Sequence, residues 1–302
     1  AKARSESDWL VGINGTQALS IAAGHGTYSV GRVQTPTLGM VCERYWENRR
    51  FTPEAFWQLH IAVDGNNDGT VKLSSSEKWK EKEPATALYN KVKEIGAATV
   101  TKAERKEKTE DTPLLYDLTT LQKEANAKHG FTAEQTLEIA QKLYEKKLIT
   151  YPRTGSRYIP EDVFAEIPKL LAFIGALPEW KGKVQAKVQP TRRNVDGSKV
   201  TDHHALLVTG EKPLFLSKED NTVYQMIAGR MIEAFSEKCV KDTTAVTAEC
   251  AGVEFIVKGS VIRQAGWRAV YGEEDKEEIS IPDWQEGDTL TLKGSVSYTH
   301  LT

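Results

Sequence analysis

The sequence predicts an α+β protein with more than one domain. Helical patterns fill the first 50 residues and the middle of the chain, whereas β-rich patterns occur in two separate regions. A chain of 302 residues is also longer than one hydrophobic core usually organises. We therefore divide the chain into a helical segment (1–50), a first β-rich segment (51–105), a second helical segment (106–237) and a second β-rich segment (238–302).

The first helical segment contains two predicted helices. Asp8 is expected to cap the first, and the second is expected from about Pro36 to Trp46, with proline in the first turn, where its missing N–H is harmless. A glycine-rich connection at residues 24–32 joins them. In the β-rich segment that follows, the charged run at residues 104–108 is expected to mark a domain boundary.

Residues 29–36 form a small-residue turn before the second helix. Backbone N–H groups at such a helix N-terminus can approach a phosphate. Further hydrogen-bond donors come from the side chains of Ser29, Arg32, Gln34 and Thr35. The pattern is more typical of a plain helix-entry loop with no ligand, and the residues alone give only weak evidence for a phosphate site.

The second helical segment carries clear helix signals. Asp117 is placed to cap one helix, Gly130 to end it, and Thr132 with Gln135 to form a capping box for the next. That next helix is expected to bury the apolar residues spaced three and four apart, namely Leu137, Ala140, Leu143 and Tyr144.

After this helix the sequence predicts an extended segment at residues 148–153. Pro152 restricts its own backbone and the residue before it, so Tyr151 and Arg153 should project to the same side, with Cα atoms about 6.5–7 Å apart. A free phenol has a pKa of about 10, and a nearby cation favours the phenolate and stabilises charge on an attacked phosphate. The alternative is a surface tyrosine beside a surface arginine.

A histidine pair follows at residues 203–204. If the chain is extended there, the two side chains point to opposite faces, which makes shared metal chelation awkward. One of them, His203 or His204, is suited to donate a hydrogen bond or proton to a phosphate. A structural histidine packed beside Leu206 is the alternative.

Composition excludes some classes and leaves others open. The net charge of −2 neither argues for nucleic-acid binding nor excludes it. No run approaches the roughly 18 apolar residues of a membrane span. Three scattered cysteines, none in zinc-ligand spacing, favour a reducing cytoplasm. The helices around Gly130, with Lys142, Lys146 and Lys147, also fit a non-catalytic helix-turn-helix DNA-binding protein, which we keep as the alternative function.

In chain order, these motifs resemble the type IA DNA topoisomerases, and within that family the bacterial topoisomerase III group. The resemblance covers nearly the whole chain. The motifs that carry it are residues 8–14, 29–38, 115–122, 140–145, 149–154, 156–158 and 202–205.

The resemblance implies a role for each candidate residue. Tyr151 would attack a phosphodiester of single-stranded DNA, forming a 5′-phosphotyrosyl link and freeing a 3′-hydroxyl, while Arg153 holds that phosphate and His203 contacts a nearby one. Strand passage and resealing would follow without ATP, because the bond energy is kept in the phosphotyrosine. The implied DNA-binding residues are Ser29, Arg32, Gln34, Thr35, Arg157 and His204.

The resemblance also implies a ring-shaped fold, in which a helical domain, a β-rich arch and a helical domain with the tyrosine join an N-terminal metal-binding domain. The family's Asp-x-Asp-x-Glu metal cluster does not occur in this sequence, and Gly155 stands where the family often has an acidic residue. We therefore expect a fragment of a longer, monomeric bacterial enzyme of the cytoplasm and nucleoid. The complete enzyme would use Mg²⁺; these residues would bind none and be inactive alone.

Overall fold

The computed structural model describes residues 2–65, 69–183, 191–272 and 280–301. The chain divides into an N-terminal unit (Ala1–Trp57, Lys80–Lys82 and Thr299–Thr302) and a main unit (Gln58–Trp79 and Glu83–Tyr298). Within the described ranges no helix is both long and apolar enough to span a bilayer. The helices are α1 (Lys2–Ala23), α2 (Gln34–Arg50), α3 (Lys82–Ile95), α4 (Leu118–His129), α5 (Ala133–Glu145), α6 (Glu161–Gly175) and α7 (Lys218–Phe235). The strands are β1 (Ala55–Asp64), β2 (Thr70–Ser75), β3 (Ala97–Glu110), β4 (Cys239–Cys250), β5 (Val253–Gln264) and β6 (Thr289–Leu301).

The N-terminal unit consists mainly of α1 and α2 and the connection between them. Hydroxyl groups on α1 hold this connection, since Thr16 Oγ1 accepts from Val30 N at 2.9 Å. A Cβ at Gly15 would lie 2.9 Å from the Val30 side chain, so the glycine permits this close approach. The prediction that Asp8 caps the first helix is wrong. The helix already begins near Lys2, and the Asp8 carboxylate instead accepts a hydrogen bond from Arg32.

The six strands close into a barrel in the order β1-β2-β5-β4-β3-β6. Strand β2 alternates between buried and more exposed residues, as the period-two pattern predicts, whereas β1 buries His60 together with its apolar neighbours Leu59 and Ile61. The inner surface is apolar and includes Leu59, Ile61, Val63, Leu73, Val100, Val246, Phe255 and Val257.

Strands β3 and β4 pair far beyond the barrel core, from Thr99↔Glu249 to Glu110↔Cys239. The charged run at residues 104–108, expected to mark a boundary, is therefore part of β3. Backbone pairing does not need apolar side chains, so a charged sequence remains a strand where both faces are largely exposed. The outer end of this ribbon is fixed by Arg268, which donates two hydrogen bonds of 2.9 Å to Glu110.

Helices α4 to α7 surround the second apolar core, with α7 the most deeply buried of them. The predicted helix signals are confirmed here. Asp117 accepts a hydrogen bond of 2.6 Å from Thr120 N, Gly130 adopts a left-handed conformation with φ 73°, and Thr132 with Gln135 forms the capping box. The sequence therefore specifies where these two helices start and where the first one ends.

Helix α5 ends in a Schellman motif that leads directly into the extended segment. Leu148 N donates to Leu143 O at 2.9 Å, and Lys147 N donates to Tyr144 O at 2.8 Å, with Lys147 at φ 60°. Leu143 and Leu148 are both buried, as this motif favours. The expected burial of Tyr144 is wrong, because its side chain is 40% exposed, and Leu137 is only half-buried. The core face of α5 is formed by Thr136, Ile139, Ala140 and Leu143.

Candidate active site

Three stretches of chain in the main unit form the frame around Tyr151: residues 148–158, 203–209 and 114–118. The Thr150 backbone N–H donates to Leu207 O at 2.9 Å, and the Thr150 hydroxyl accepts from Leu207 N at 3.0 Å. Leu206 N donates to Tyr116 O at 2.8 Å. The residue before Tyr151 is thus bonded to the second stretch, and the second stretch to the third.

Two buried hydroxyl residues fix the chain after Tyr151. Thr154 Oγ1 donates to His203 O at 2.8 Å and accepts from Ser156 N at 3.1 Å. Ser156 Oγ donates to Lys199 O at 2.9 Å. Thr154 and Ser156 are about 5% exposed or less, so they hold the segment rather than face solvent. Sequence reasoning assigned them no part; the available signal was the recurrence of small hydroxyl residues at alternate positions.

Tyr151 itself is half-buried, and its ring contacts two other rings. The His203 ring centroid lies 4.4 Å away with the planes tilted by 48°, and the Tyr144 centroid lies 5.3 Å away in an edge-on arrangement of 78°. Pro152 is buried and Arg153 is exposed. The predicted extended segment at residues 148–153 contains bends at Leu148, Thr150 and Pro152, and Thr154 N donates to Pro152 O at 3.0 Å, so the segment is not continuously extended. Within the described parts of the chain, neither the Tyr151 hydroxyl nor the Arg153 guanidinium has a hydrogen-bond partner.

Two further predicted residues are engaged with the backbone of the same frame. His204 is half-buried, with Nδ1 2.7 Å from Ala205 O, so this nitrogen carries the proton if the contact is a hydrogen bond. Arg157 Nε donates to Leu115 O at 3.0 Å and Nη2 to Leu114 O at 3.3 Å. A role for either residue in binding DNA stays a prediction.

The other four candidates belong to the N-terminal unit and lie close together within it. Gln34 Nε2 donates to Ser29 Oγ at 2.7 Å, and Gly31 N donates to Thr35 Oγ1 at 3.0 Å. Arg32 Nε donates to Asp8 Oδ1 at 2.6 Å, and this hydrogen bond holds the pKa of Asp8 below its usual range. The segment borders a surface cleft of about 640 Å³ within this unit.

A buried ion network supports the stretch at residues 114–118. Arg230 Nη2 donates to both carboxylate oxygens of Glu124 at 2.6 and 2.8 Å, Arg230 Nε donates to Glu233 at 3.0 Å, and Arg230 Nη1 donates to Leu114 O at 3.2 Å. The Tyr116 hydroxyl donates to Glu124 at 2.7 Å. Residues more than 100 positions apart in sequence thus meet next to the stretch at residues 114–118.

The pKa values of the two carboxylates in this network are shifted in opposite directions. Burial raises the pKa of Glu233 to about 7, although the charge of Arg230 opposes the shift. Burial also acts on Glu124, but the hydrogen bond from Tyr116 and the charge of Arg230 outweigh it and hold its pKa below the usual range. Glu124, with three hydrogen bonds from these groups, is therefore the ionised partner of Arg230.

This difference predicts a pH dependence of stability. The folded pKa of Glu233 exceeds its ordinary value of 4.5, so the folded state binds the proton more tightly. The free energy of unfolding should therefore fall as pH rises from about 4.5 to 7, by up to about 3 kcal/mol from this group. Denaturant unfolding of Glu233→Gln and the parent chain at pH 5–8 checks this. Equal slopes in both proteins would contradict it.

A resident metal site does not form from the described side chains. No group of three or more histidine, cysteine, aspartate or glutamate residues is arranged among them to hold a metal ion. The described side chains therefore offer no cluster that could hold the Mg²⁺ that the resemblance implies.

Comparison with known proteins places this geometry in a family. The family model described as DNA topoisomerase matches residues 1–302. DNA topoisomerase 3 of Bacillus subtilis (strain 168) is 35% identical over 307 residues, covering 97% of this chain and 42% of that protein. DNA topoisomerase 3 of Bacillus licheniformis is 34% identical over 306 residues with the same coverage. The chain thus spans about two fifths of the length of the curated relatives it matches.

The fold agrees with these matches. The structure of full-length topoisomerase I from Thermotoga maritima matches with a TM-score of 0.73 at 22% identity, over 98% of this chain and 48% of that chain. At this identity the match shows the fold alone, and it confirms the predicted α+β class. The helix-turn-helix alternative is not favoured, and Lys146, one of its proposed phosphate contacts, lies 3.7 Å from Asp220. The predicted resemblance is confirmed, and the chain belongs to the DNA topoisomerase family, in its type IA branch.

Proposed function

We propose that this chain supplies the nucleophile and part of the DNA-binding surface of an ATP-independent type IA topoisomerase. One observation carries the proposal: Tyr151 presents a hydroxyl without a described partner on a segment fixed at both ends, two residues from the similarly unpartnered guanidinium of Arg153. Tyr151 is only half-buried and its hydroxyl is not an enclosed atom, so the phenol can be reached from solvent. Here the phenol and the cation are both left for a ligand.

The proposed reaction is a transesterification. Tyr151 Oη forms a bond to the phosphorus of a DNA phosphodiester, the bond from phosphorus to the 3′-oxygen breaks, the phenol loses its proton, and the departing 3′-oxygen gains one. Arg153 binds the non-bridging oxygens of the attacked phosphate, whose charge grows during the attack, and His203 contacts a nearby phosphate. The reverse reaction reseals the strand, so no nucleotide hydrolysis is required.

Single-stranded DNA is the proposed partner of both units. In the N-terminal unit, Ser29, Arg32, Gln34 and Thr35 would bind the strand that leads to the cleavage site, with Arg32 exchanging Asp8 for a phosphate. In the main unit, Arg157 and His204 are held by the backbone and would act next to the strand. Support comes from the hydrogen-bonded clustering of the first four residues and from their exposure.

We further propose that the chain acts within a longer, monomeric bacterial protein of the cytoplasm and nucleoid. The support is the 42% coverage of the curated relatives. Mg²⁺ would be held there by residues outside this sequence, and the 302 residues alone would bind single-stranded DNA without relaxing supercoiled DNA. Combining the chain with an acidic metal-binding segment should restore relaxation; failure to do so, with an intact fold, would contradict this part.

The decisive experiment determines which end of a cleaved oligonucleotide stays covalently bound to the protein. The protein encoded by the complete reading frame containing these residues is incubated with single-stranded DNA labelled at either end and then denatured. A 5′-phosphotyrosyl link predicts that the 3′ label stays on the protein, while the 5′-labelled fragment is released with an extendable 3′-hydroxyl. Retention of the 5′ label, or no adduct at all, would overturn the proposal.

Asp8→Asn is predicted to strengthen binding of single-stranded DNA. The substitution removes the carboxylate that occupies Arg32, and the freed guanidinium can then bind a phosphate. We expect affinity at low salt to rise about two- to fivefold, with a steeper salt dependence. Fluorescence anisotropy across a salt series measures both.

Glu6→Gln is the matched control for this prediction. It removes the same charge from the same helix, but Glu6 pairs with Lys2 rather than with Arg32. An equal gain in affinity from both variants would mean that general repulsion, not the release of Arg32, is responsible.

A further inference from the structure

We propose that Tyr144, at the C-terminal end of α5, is a positioning residue that holds the ring of Tyr151 in the direction needed for attack on DNA. The inference rests on the proposed function of Tyr151. It adds a residue that touches neither the phosphate nor Arg153 in the proposed reaction, and acts through its contact with the nucleophile.

The geometry of α5 places Tyr144 at this position. The Schellman motif fixes the turn between the helix and the extended segment, through Leu148 N to Leu143 O at 2.9 Å and Lys147 N to Tyr144 O at 2.8 Å. As a result Tyr144, the last outward-facing apolar residue of the helix, meets Tyr151 edge-on at 5.3 Å. Edge-on pairs at 4.5–7 Å are a favoured arrangement of aromatic rings.

A role in the core does not account for this side chain. Tyr144 is 40% exposed, whereas Leu143 beside it is fully buried. Its hydroxyl has no hydrogen-bond partner among the described residues. The described ring contact of Tyr144 is with Tyr151. Its side chain therefore packs against the proposed nucleophile and not only against the core.

The site needs such a contact because its backbone and its side chain are fixed separately. Hydrogen bonds of Thr150 and Thr154 hold the chain on either side of Tyr151. They do not fix the side-chain torsions of Tyr151, which choose among staggered rotamers. The rings of His203 and Tyr144 remain to select one of them. Loss of an aromatic pair of this kind changes such a population about two- to tenfold.

The test measures adduct formation in a single turnover, using the protein encoded by the complete reading frame and an excess of enzyme over 3′-labelled single-stranded DNA. Tyr144→Leu should slow the adduct-forming step about three- to tenfold while the Kd for the same DNA, measured without cleavage on Tyr151→Phe backgrounds, stays within twofold. Tyr144→Phe, which keeps the ring, should restore the rate that leucine loses.

Phe215→Leu is the matched control, because it makes the same kind of change at a side chain that is 97% exposed and makes no described ring contact. It should leave the rate unaltered. Adduct formation by Tyr144→Leu at the parent rate would overturn the inference, as would a loss that phenylalanine does not restore. No adduct in the parent protein would instead overturn the proposed function, so the two failures are distinguishable.

Discussion

Tyr151→Phe is expected to lower covalent adduct formation by more than about a thousandfold, because the substitution removes the oxygen that forms the bond to phosphorus. The neighbouring Tyr144 contacts the Tyr151 ring edge-on, at 5.3 Å between ring centroids, and is not expected to take its place. The measurement is denaturing electrophoresis of the complete enzyme with 3′-labelled single-stranded DNA. Relaxation of supercoiled DNA should be lost in parallel.

The variant should fold and bind DNA as the parent protein does. The Tyr151 hydroxyl has no partner among the described residues, so its removal leaves no donor or acceptor unpaired there, and the ring contact with His203 is retained. Tyr158→Phe is the control, with the same atom removed from a nearby half-buried tyrosine whose side chain interacts with Lys199. If the adduct survives Tyr151→Phe and is lost with Tyr158→Phe, the nucleophile is Tyr158 and the assignment of Tyr151 is wrong.

Arg230→Leu is expected to destabilise the main unit by about 3–5 kcal/mol, the usual cost of removing one partner from a buried ion network. The Arg230 side chain is 9% exposed and serves both Glu124 and Glu233. Without it the half-buried, ionised Glu124 keeps only the hydrogen bond from Tyr116 and a lysine 3.8 Å away. The loss in the free energy of unfolding is measured by denaturant titration, with the far-UV circular dichroism of the helices as the signal.

A double substitution separates the network from simple packing. In Arg230→Leu combined with Glu124→Leu, the stranded charge is gone, so we expect part of the lost stability to return. Strictly additive losses would mean that the two residues do not interact. Because Arg230 also donates to Leu114 O, the single variant should increase hydrogen exchange at residues 114–118 more than in the barrel.

Local signals were sufficient for much of the fold. Asp117, Gly130 and the Thr132–Gln135 pair are recognisable because a cap depends on residues within four positions of each other. Strand β2 of the barrel is equally readable, since its alternation reflects one buried face. Both kinds of pattern are completed within a few residues, so no knowledge of distant partners is required.

The predictions that were wrong, and the contacts that were not predicted, depend on residues far apart in the sequence. Asp8 is a good cap by type, but its carboxylate has an arginine partner 24 residues away and lies inside the helix. Tyr144 fits the apolar spacing of α5, yet the Schellman motif turns the chain so that its ring meets Tyr151. Arg230 and Glu124 are separated by 106 residues, and nothing near either one indicates a buried pair. The site residues predicted from the resemblance stay predictions until adduct and binding measurements test them.

The long pairing of β3 with β4 has a mechanical consequence. The chain leaves the barrel along β3, forms the helical core that carries Tyr151, and returns along β4. Glu110 lies opposite Cys239 at the end of this pairing that is nearest the core. The pairing runs for about 40 Å. Strand β5 pairs with β4 over the same length, from Cys250↔Val253 to Val240↔Gln264, and the chain then enters the helical core again at Val270. The connection is therefore a three-stranded ribbon, and a pull along it is shared by three covalent backbones.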